Sequence, residues 1–517
     1  MDKIKVFDSS LRDGAQAEGI SFSVEDKLRI AAELDKLGVS YIEAGNPASN
    51  PKDIEFFRRL KKESFSSAKI VAFGSTRRPY TAAADDRNLR DILSADTKAV
   101  SVFGKSWDFH VTDVIHTELS ENIKMIQDSV FFLKSMGKEV IYDAEHFFDG
   151  YKNNKEYALE TLKAARTADC ICLCDTNGGT FPHFVSKIVE EIAALFPNIT
   201  IGIHAHNDCG MAVSNSVSAV MAGARHVQGT LTGFGERCGN ADLSTVIPNL
   251  QLKLQYGCLD EGKIEYLTQA ARVVGEIANG SPNDKAPFVG RSAFAHKGGM
   301  HVDGVLKDPK SFEHIDPSLA GNERRFLVSE VAGRKTILPK IQKIAPSTDK
   351  DDPKVAEIIE KLKTREHMGY QFEGADATVD ILIRKQLGKY TKFFKLLDYN
   401  IISAHDTPAK AMIKIAVGED TKMTAAEGEG PVDALDKAMR KALLGFYPVL
   451  SEVKLIDYKV RVLNIKSEFP TASKVRVLIT SSDSEEHWTT VGVSEDIIEA
   501  SRFALTDSID YKLNKNK

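Results

Sequence analysis

Lys3-Ile4-Lys5-Val6-Phe7-Asp8-Ser9-Ser10-Leu11-Arg12-Asp13-Gly14-Ala15-Gln16 alternates polar and apolar residues as far as Phe7, then breaks into a cationic Arg12 beside an anionic Asp13 and a glycine. The alternation predicts a short strand and the break predicts its charged exit. Taken alone, Arg-Asp-Gly is most simply a solvated turn into a first helix. The chain that follows, to about residue 255, repeats the same strand-to-helix rhythm. Ile4–Phe7, Tyr41–Ala44, Lys69–Phe73, Ala99–Phe103, Glu139–Tyr142, Cys170–Cys174, Thr200–His204 and His226–Leu231 predict eight strands, each followed by helical periodicity such as Val24–Leu37 or Glu121–Met136. Eight such units in roughly 250 residues match a closed parallel (β/α)8 TIM barrel, whose reactive groups stand on loops beyond the strands' C-terminal ends. A doubly wound open sheet is the alternative. No Gly-x-Gly-x-x-Gly follows the first strand, where a dinucleotide-binding sheet would carry it.

The strand exits then converge. Ile201-Gly202-Ile203-His204-Ala205-His206-Asn207-Asp208 sets two imidazoles two residues apart, so on an extended chain they face one side and can share an ion. A plain structural histidine pair is the competing reading. In a closed barrel the eighth strand lies beside the first, which brings the exits carrying His204, His206, the Asn240 loop and Asp13 to one mouth. Two neutral imidazoles, one carboxylate and an amide oxygen suit an octahedral divalent ion with positions open to a chelating 2-oxo acid. Magnesium or manganese fits catalysis without redox chemistry; zinc and iron accept the same ligand types.

Composition narrows the remaining classes. The chain of 517 residues calls for two or three domains. A formal charge of -5 and a pI near 6.3 leave no basic footprint for nucleic acid. No apolar run is long enough for a membrane span and no secretory segment opens the chain, which predicts a cytoplasmic protein. The six cysteines are too few and too clustered for a secreted disulfide framework; Cys170, Cys172 and Cys174 alternate along one strand and read as core.

Asp8 to Gln16 resembles the Asp-Thr-Thr-Leu-Arg-Asp-Gly-x-Gln segment that opens the barrel of the 2-isopropylmalate, homocitrate and citramalate synthase family, with Ser9 and Ser10 for the two threonines. His204-Ala205-His206-Asn207-Asp208 resembles the family's seventh-strand motif, and Gly235-Glu236-Arg237-Cys238-Gly239-Asn240 its glycine-rich loop. Asp13-Gly14-Ala15-Gln16, the run Tyr142 to Tyr151, and Gly321-Asn322-Glu323-Arg324-Arg325 look most like the citramalate branch. The resemblance implies a metal held by Asp13, His204, His206 and Asn240, and condensation of acetyl-CoA with a 2-oxo acid, pyruvate in that branch, followed by thioester hydrolysis. It places Arg12 on the developing oxyanion, with an ion pair to Asp8 or Asp13 as the plain alternative, and Glu145 in the acid–base network. Gln16 and Thr176 fall to substrate binding, although Thr176 in Asp175-Thr176-Asn177-Gly178 also reads as a helix cap.

Asn279-Gly280-Ser281-Pro282-Asn283-Asp284 reads as a break, which divides the chain into a barrel at 1–272, a linker and lid region at 273–391, and a C-terminal α+β domain at 392–517. In the family the segment Ala295 to Gly304 reaches over an active site, generally the partner subunit's, so His301 is the implied general base. His296 and His314 read as surface histidines. Phe312 stands where the family usually carries a tyrosine. Pro346 to Pro353 reads as a link between helices. Beyond residue 392, period-two strands (Ala411–Val417, Val453–Leu463, Lys474–Thr480, Trp488–Val493) alternate with helices Val432–Leu444 and Glu495–Leu513. The stretches around Thr424–Ala442 and Thr490–Ser508 suggest a weak duplication. The resemblance makes this a regulatory, dimerising module with isoleucine as effector in a homodimer. A larger-substrate synthase, a metal-dependent carbon–carbon lyase using Cys238, and a silent sensor are the other readings.

Overall fold

The computed structural model describes residues 2–47, 51–278, 283–327, 334–463, 474–484 and 486–515. The predicted break at 279–284 falls mostly outside them. The chain forms two compact units, Met1–Phe294 with Ile315–Glu323, and Ala295–His314 with Arg324–Lys517.

Unit one is the closed barrel. Its strands are β1 (Lys5–Asp8), β2 (Tyr41–Gly45), β3 (Lys69–Ser75), β4 (Ala99–Lys105), β5 (Glu139–Glu145), β6 (Cys170–Asp175), β7 (Thr200–Ala205) and β8 (His226–Gly229). They pair in parallel and in sequence order, and β8 closes on β1 with Phe7 opposite Gln228 and Asp8 opposite Gly229. The helices are α1 (Val24–Leu37), α2 (Pro51–Leu60), α3 (Arg87–Ser94), α4 (Leu119–Ser135), α5 (Phe147–Asn153), α6 (Lys155–Ala164), α7 (Pro182–Leu195), α8 (Ala212–Met221), α9 (Leu243–Pro248) and α10 (Leu267–Ile277). The first of them shows how local sequence sets its ends. Ser23 and Asp26 form a reciprocal capping box, Ile30, Leu34 and Leu37 bury one stripe, and Gly38 stops the helix at φ +93°.

Inside the barrel Phe7, Tyr41, Val71, Ala99, Ile141, Cys170 and Cys172 fill one buried layer, so the cysteines of β6 are core, as expected. Toward the strands' C-terminal ends the interior turns polar, with Asp8, Glu43, Ser101, Asp143, His204 and Gln228 all buried. That change from apolar floor to polar mouth positions the site.

Unit two begins with a small parallel pair, β9 (Ala295–His296) and β10 (Arg325–Phe326), and the helices α11 (Gly299–Lys307), α12 (Arg334–Ile344), α13 (Pro353–His367) and α14 (Asp376–Leu387). His296, expected at the surface, is buried: Glu313 Oε1 lies 2.9 Å from its Nε2, and Arg324 holds the same carboxylate. Two three-stranded antiparallel sheets follow, β11 (Lys395–Ala404), β12 (Thr407–Val417) and β13 (Asp420–Gly428), then β14 (Lys454–Val462), β15 (Val475–Ser482) and β16 (His487–Ser494). Each sheet leads into a helix, α15 (Pro431–Leu443) or α16 (Ile497–Lys515). The duplication extends to single bonds. Thr424 Oγ1 on β13 donates to Ala438 O at 2.9 Å, and Thr490 Oγ1 on β16 donates to Ala504 O at 2.8 Å, each spanning 14 residues. β11 was not among the predicted strands, because most of its side chains stay exposed or half-exposed and bury no clean stripe. Among the described residues no helix is long and apolar enough to cross a membrane.

Candidate active site

The mouth is built around Arg12 and Asp13. Beyond β1 the chain turns back on itself: Ser9 N donates to Gly229 O (2.8 Å), Ser10 Oγ accepts from Leu231 N (3.0 Å), and Ser9 O accepts from Arg12 N and Gly14 N. This tight loop puts consecutive charged side chains into the barrel. Gly14 lets the loop pack closely there, since a Cβ would meet the Phe234 ring at 2.4 Å and displace it.

Arg12 Nε donates to Glu43 Oε2 at 2.7 Å and its NH1 to Asp13 Oδ2 at 3.1 Å, while the guanidinium lies 4.0 Å over the Phe73 ring. Glu43 also accepts from Ser9 Oγ. Asp8, read from sequence as an alternative partner of Arg12, instead accepts from Ser10 N at 2.8 Å, and its second oxygen is buried without a hydrogen bond. Burial, reinforced by Glu43, pushes the Asp8 carboxyl up to about 7. Glu43 is the residue that sequence reading missed. Its signal was an acid at the middle of the apolar run Tyr41-Ile42-Glu43-Ala44-Gly45, where a buried charge requires a partner.

Asp13, His204 and His206 converge. His204 Nε2 lies 3.4 Å from Asp13 Oδ2 and 3.3 Å from His206 Nε2, and His206 Nε2 lies 3.9 Å from the same oxygen. All three residues are buried, and one donor atom from each falls within 4.8 Å of the others. Burial opposes charge on every member. It holds the His204 imidazole down to about 3, helped by His206, and lowers His206 as well. Burial also pushes the Asp13 carboxyl up, but Arg12 and the two imidazoles outweigh it and hold the group at about 2. Near neutral pH the triad is therefore two neutral imidazoles and a carboxylate, the protonation state in which these groups ligate a divalent cation.

Asn240 completes the set. It forms a backbone bridge with His206, and both polar atoms of its amide are buried without a hydrogen-bond partner. The glycine-rich loop makes room for it: a Cβ on Gly235 would meet Asn240 Nδ2 at 2.1 Å, and Gly239 turns at φ +90°. An orphaned amide beside three converging acceptors is what the residues of a metal site look like before an ion is counted. A second group, Asp143 with Cys172 and Cys174, also lies close enough to share an ion. There, however, Ser101 Oγ and Gln228 Nε2 already occupy the two oxygens of Asp143.

The remaining predicted residues divide by position. Glu145 ends β5 at the mouth, where Lys105 Nζ donates to it. Thr176 caps no helix; its Oγ1 accepts from His146 N at 2.9 Å, and its carbonyl accepts from Arg237, itself paired with Asp208. His146 takes a left-handed φ of +56° directly after Glu145. Such local strain recurs at functional sites. Gln16 is exposed at the end of a short 3-10 turn, Gly14–Gln16. His301 belongs to the second unit, on α11, with its ring stacked on Phe312 at 4.2 Å. Next to Arg12, Phe73 stacks on Phe103 at 5.3 Å and 18°, forming an aromatic wall across β3 and β4.

The HMGL-like family model matches residues 3–274, the homocitrate synthase post-HMGL domain-like model residues 288–369, and the LeuA allosteric (dimerisation) domain model residues 373–513. The (R)-citramalate synthase of Geobacter sulfurreducens is 50% identical over 526 residues, spanning 100% of this chain and 99% of its own. That of Aquifex aeolicus is 48% identical over 523 residues, with 100% and 99% covered. That of Synechocystis sp. is 48% identical over 525 residues, with 98% and 96% covered.

Proposed function

Because this chain belongs to the (R)-citramalate synthase family, a group of transferases with the HMGL-like barrel and the LeuA domain, we propose that it condenses acetyl-CoA with pyruvate and hydrolyses the thioester to (R)-citramalate and CoA. The observation that carries the reading is the convergence of Arg12, Asp13, His204 and His206 at one mouth in a chain that is half identical to such enzymes end to end.

Asp13, His204, His206 and Asn240 would hold a divalent ion, magnesium or manganese before zinc. When bound, such an ion acts as a Lewis acid on the oxo acid's ketone and carboxylate. The chain's own groups divide the rest of the work. Arg12 is pinned by Glu43, Asp13 and the Phe73 face, so its guanidinium is already oriented where negative charge develops on the ketone oxygen, and little reorganisation is left for the reaction itself. Glu145 serves proton transfer at the mouth, where Lys105 keeps its carboxylate partnered. His301 acts as general base toward the acetyl methyl group, in an active site shared within a homodimer. Gln16 and Thr176 serve substrate binding. Hydrolysis then joins a water oxygen to the acyl carbon, breaks the carbon–sulfur bond and releases CoA as its thiol.

The Phe73–Phe103 wall supports pyruvate as the oxo acid. The rings stand beside Arg12, and a substituent packed against them would be kept small, since a branched side chain would overpack the stack. The LeuA allosteric (dimerisation) domain supports feedback by isoleucine, the amino acid downstream of citramalate in the route the family implies. The test is release of free thiol from acetyl-CoA across a panel of 2-oxo acids, with the product resolved on a chiral column. Pyruvate should give the highest kcat/KM and (R)-citramalate. No thiol release with pyruvate, or a higher kcat/KM with 2-oxoisovalerate, overturns the assignment.

A further inference from the structure

Behind the metal ligands lies a buried polar chain that the reaction scheme does not use. His204 on β7 and Gln228 on β8 are register partners, so their side chains stand next to each other on the inner face of the barrel. His204 Nδ1 lies 3.0 Å from Gln228 Oε1. Gln228 Nε2 donates to Asp143 Oδ1 on β5 at 2.8 Å, and Ser101 Oγ on β4 donates to the other oxygen of Asp143. His226 Nε2, 3.4 Å from Gln228 Nε2, adds a second acceptor on the same side. All five side chains are buried.

This arrangement leaves one consistent assignment of protons. With Asp143 ionised, both of its oxygens accept, one from Ser101 Oγ and the other from Gln228, so the NH2 end of Gln228 faces Asp143 and its carbonyl is turned toward His204. A carbonyl can only accept, so His204 must carry its proton on Nδ1. Its Nε2 lone pair then points at Asp13 and His206, where an ion would sit. We propose that Gln228, locked by Asp143 and Ser101, is a positioning residue that holds His204 in the Nδ1–H tautomer and so sets the affinity of the site for its divalent ion. The inference rests on reading Asp13, His204 and His206 as metal ligands. Partners of this kind behind ligating histidines change metal affinity by about 10- to 100-fold.

The test measures Mn2+ binding to the full-length protein by calorimetry and by the loss of the free-ion electron paramagnetic resonance signal. Wild-type protein that binds no Mn2+ defeats the metal-site reading itself; the variants address only Gln228. Gln228→Met fills a similar volume without an acceptor. It should weaken Mn2+ binding by about 10- to 100-fold and lower the thermal midpoint of the metal-free protein, because Asp143 loses a donor, so binding is measured below that midpoint on folded protein. The double exchange Gln228→Glu with Asp143→Asn reverses donor and acceptor between positions 228 and 143 and still offers His204 an acceptor, so it should bind Mn2+ within a few-fold of wild type. A Gln228→Met protein that binds Mn2+ as tightly as wild type overturns the proposal, as does a folded double variant that loses the ion. Should Gln228→Met fail to fold, the double exchange decides alone: retained binding supports the tautomer lock, and lost binding refutes it.

Discussion

Asp8→Asn should stabilise the barrel, and the gain should grow with pH. Asp8 is fully buried, its Oδ1 is satisfied by Ser10 N, and its Oδ2 has no hydrogen bond. Burial and the neighbouring Glu43 raise its carboxyl from the ordinary 3.8 to about 7. An acid whose folded pKa lies above its unfolded value binds a proton on folding, so stability is lost as pH rises from 3.8 to about 7. At ~1.4 kcal/mol per pKa unit, the loss relative to a neutral isostere is about 1.5 kcal/mol at pH 5 and about 4 kcal/mol at pH 8. Asparagine keeps the acceptor for Ser10 N and replaces the unpaired oxygen with a donor beside Glu43, whose Oε1 is likewise unpaired. The two tryptophans make the measurement specific. Trp488 lies in the core of the second unit, so in a Trp488→Phe background Trp107 fluorescence follows the barrel alone. Urea melts of this protein with and without Asp8→Asn at pH 5 and pH 8 give the gain at each pH, and titrations common to both proteins cancel in the difference. A gain that is absent at pH 8, or equal at the two pH values, refutes the burial argument.

Removing divalent ions with a chelator, or making His204→Ala, should cut thiol release by about 100-fold or more, and full activity in chelator would exclude a metal role. Phe73→Ala opens the wall beside Arg12 and should raise the ratio of kcat/KM for 2-oxoisovalerate over pyruvate by about 10-fold; an unchanged ratio removes the wall as a selector. In the second unit Lys340, at 2.7 Å, and Arg325 outweigh the burial of Asp376 and hold its carboxyl at about 2. Its stabilisation is therefore present above pH 3.8 and lost as pH falls through about 2, so Asp376→Asn should cost about 2 kcal/mol at pH 7 and roughly half that at pH 3, read by Trp488 fluorescence in urea in a Trp107→Phe background. Deleting residues 392–517 should abolish any inhibition by isoleucine; inhibition that survives the deletion would place the sensor elsewhere.

The eight strand positions were legible because barrel strands are short apolar runs between amphipathic helices, and the structure moves their ends by only a few residues. His204, His206, Asp13 and Asn240 were legible because closure of the ring makes strands seven, eight and one neighbours. Glu43, Asp143 and Gln228 were not. Each is a polar residue inside a short barrel strand, and pattern alone does not say whether such a residue faces the mouth, the floor or the outer helices. Arg12 does pair with Asp13, as one sequence reading had it, but its shorter bond goes to Glu43, 31 residues away on β2, a contact that exists only through the register of β1 on β2. His296 was misplaced for a related reason: its partner Glu313 lies 17 residues further along and is itself held by Arg324 from a separate segment of the second unit, so its burial has no signature in the surrounding sequence.

The seam between β1 and β8 also orders events during synthesis. β1 is made first, yet the bonds that seal it, such as Leu231 N to Ser10 Oγ, wait for residues 221 positions later. At translation rates of about 5–20 residues per second, its edge stays open for roughly 10–40 s, a template for wrong pairing until the ring closes. Asp13 stands on one side of that seam and His204, His206 and Asn240 on the other, so their four donors meet only in a completed ring. An ion that binds them therefore binds only the closed barrel, and at a hundred times its dissociation constant it favours closure by about 2.7 kcal/mol. Where these residues take up an ion, metal supply would then influence how much of the nascent chain ends as closed barrel, before any substrate is met.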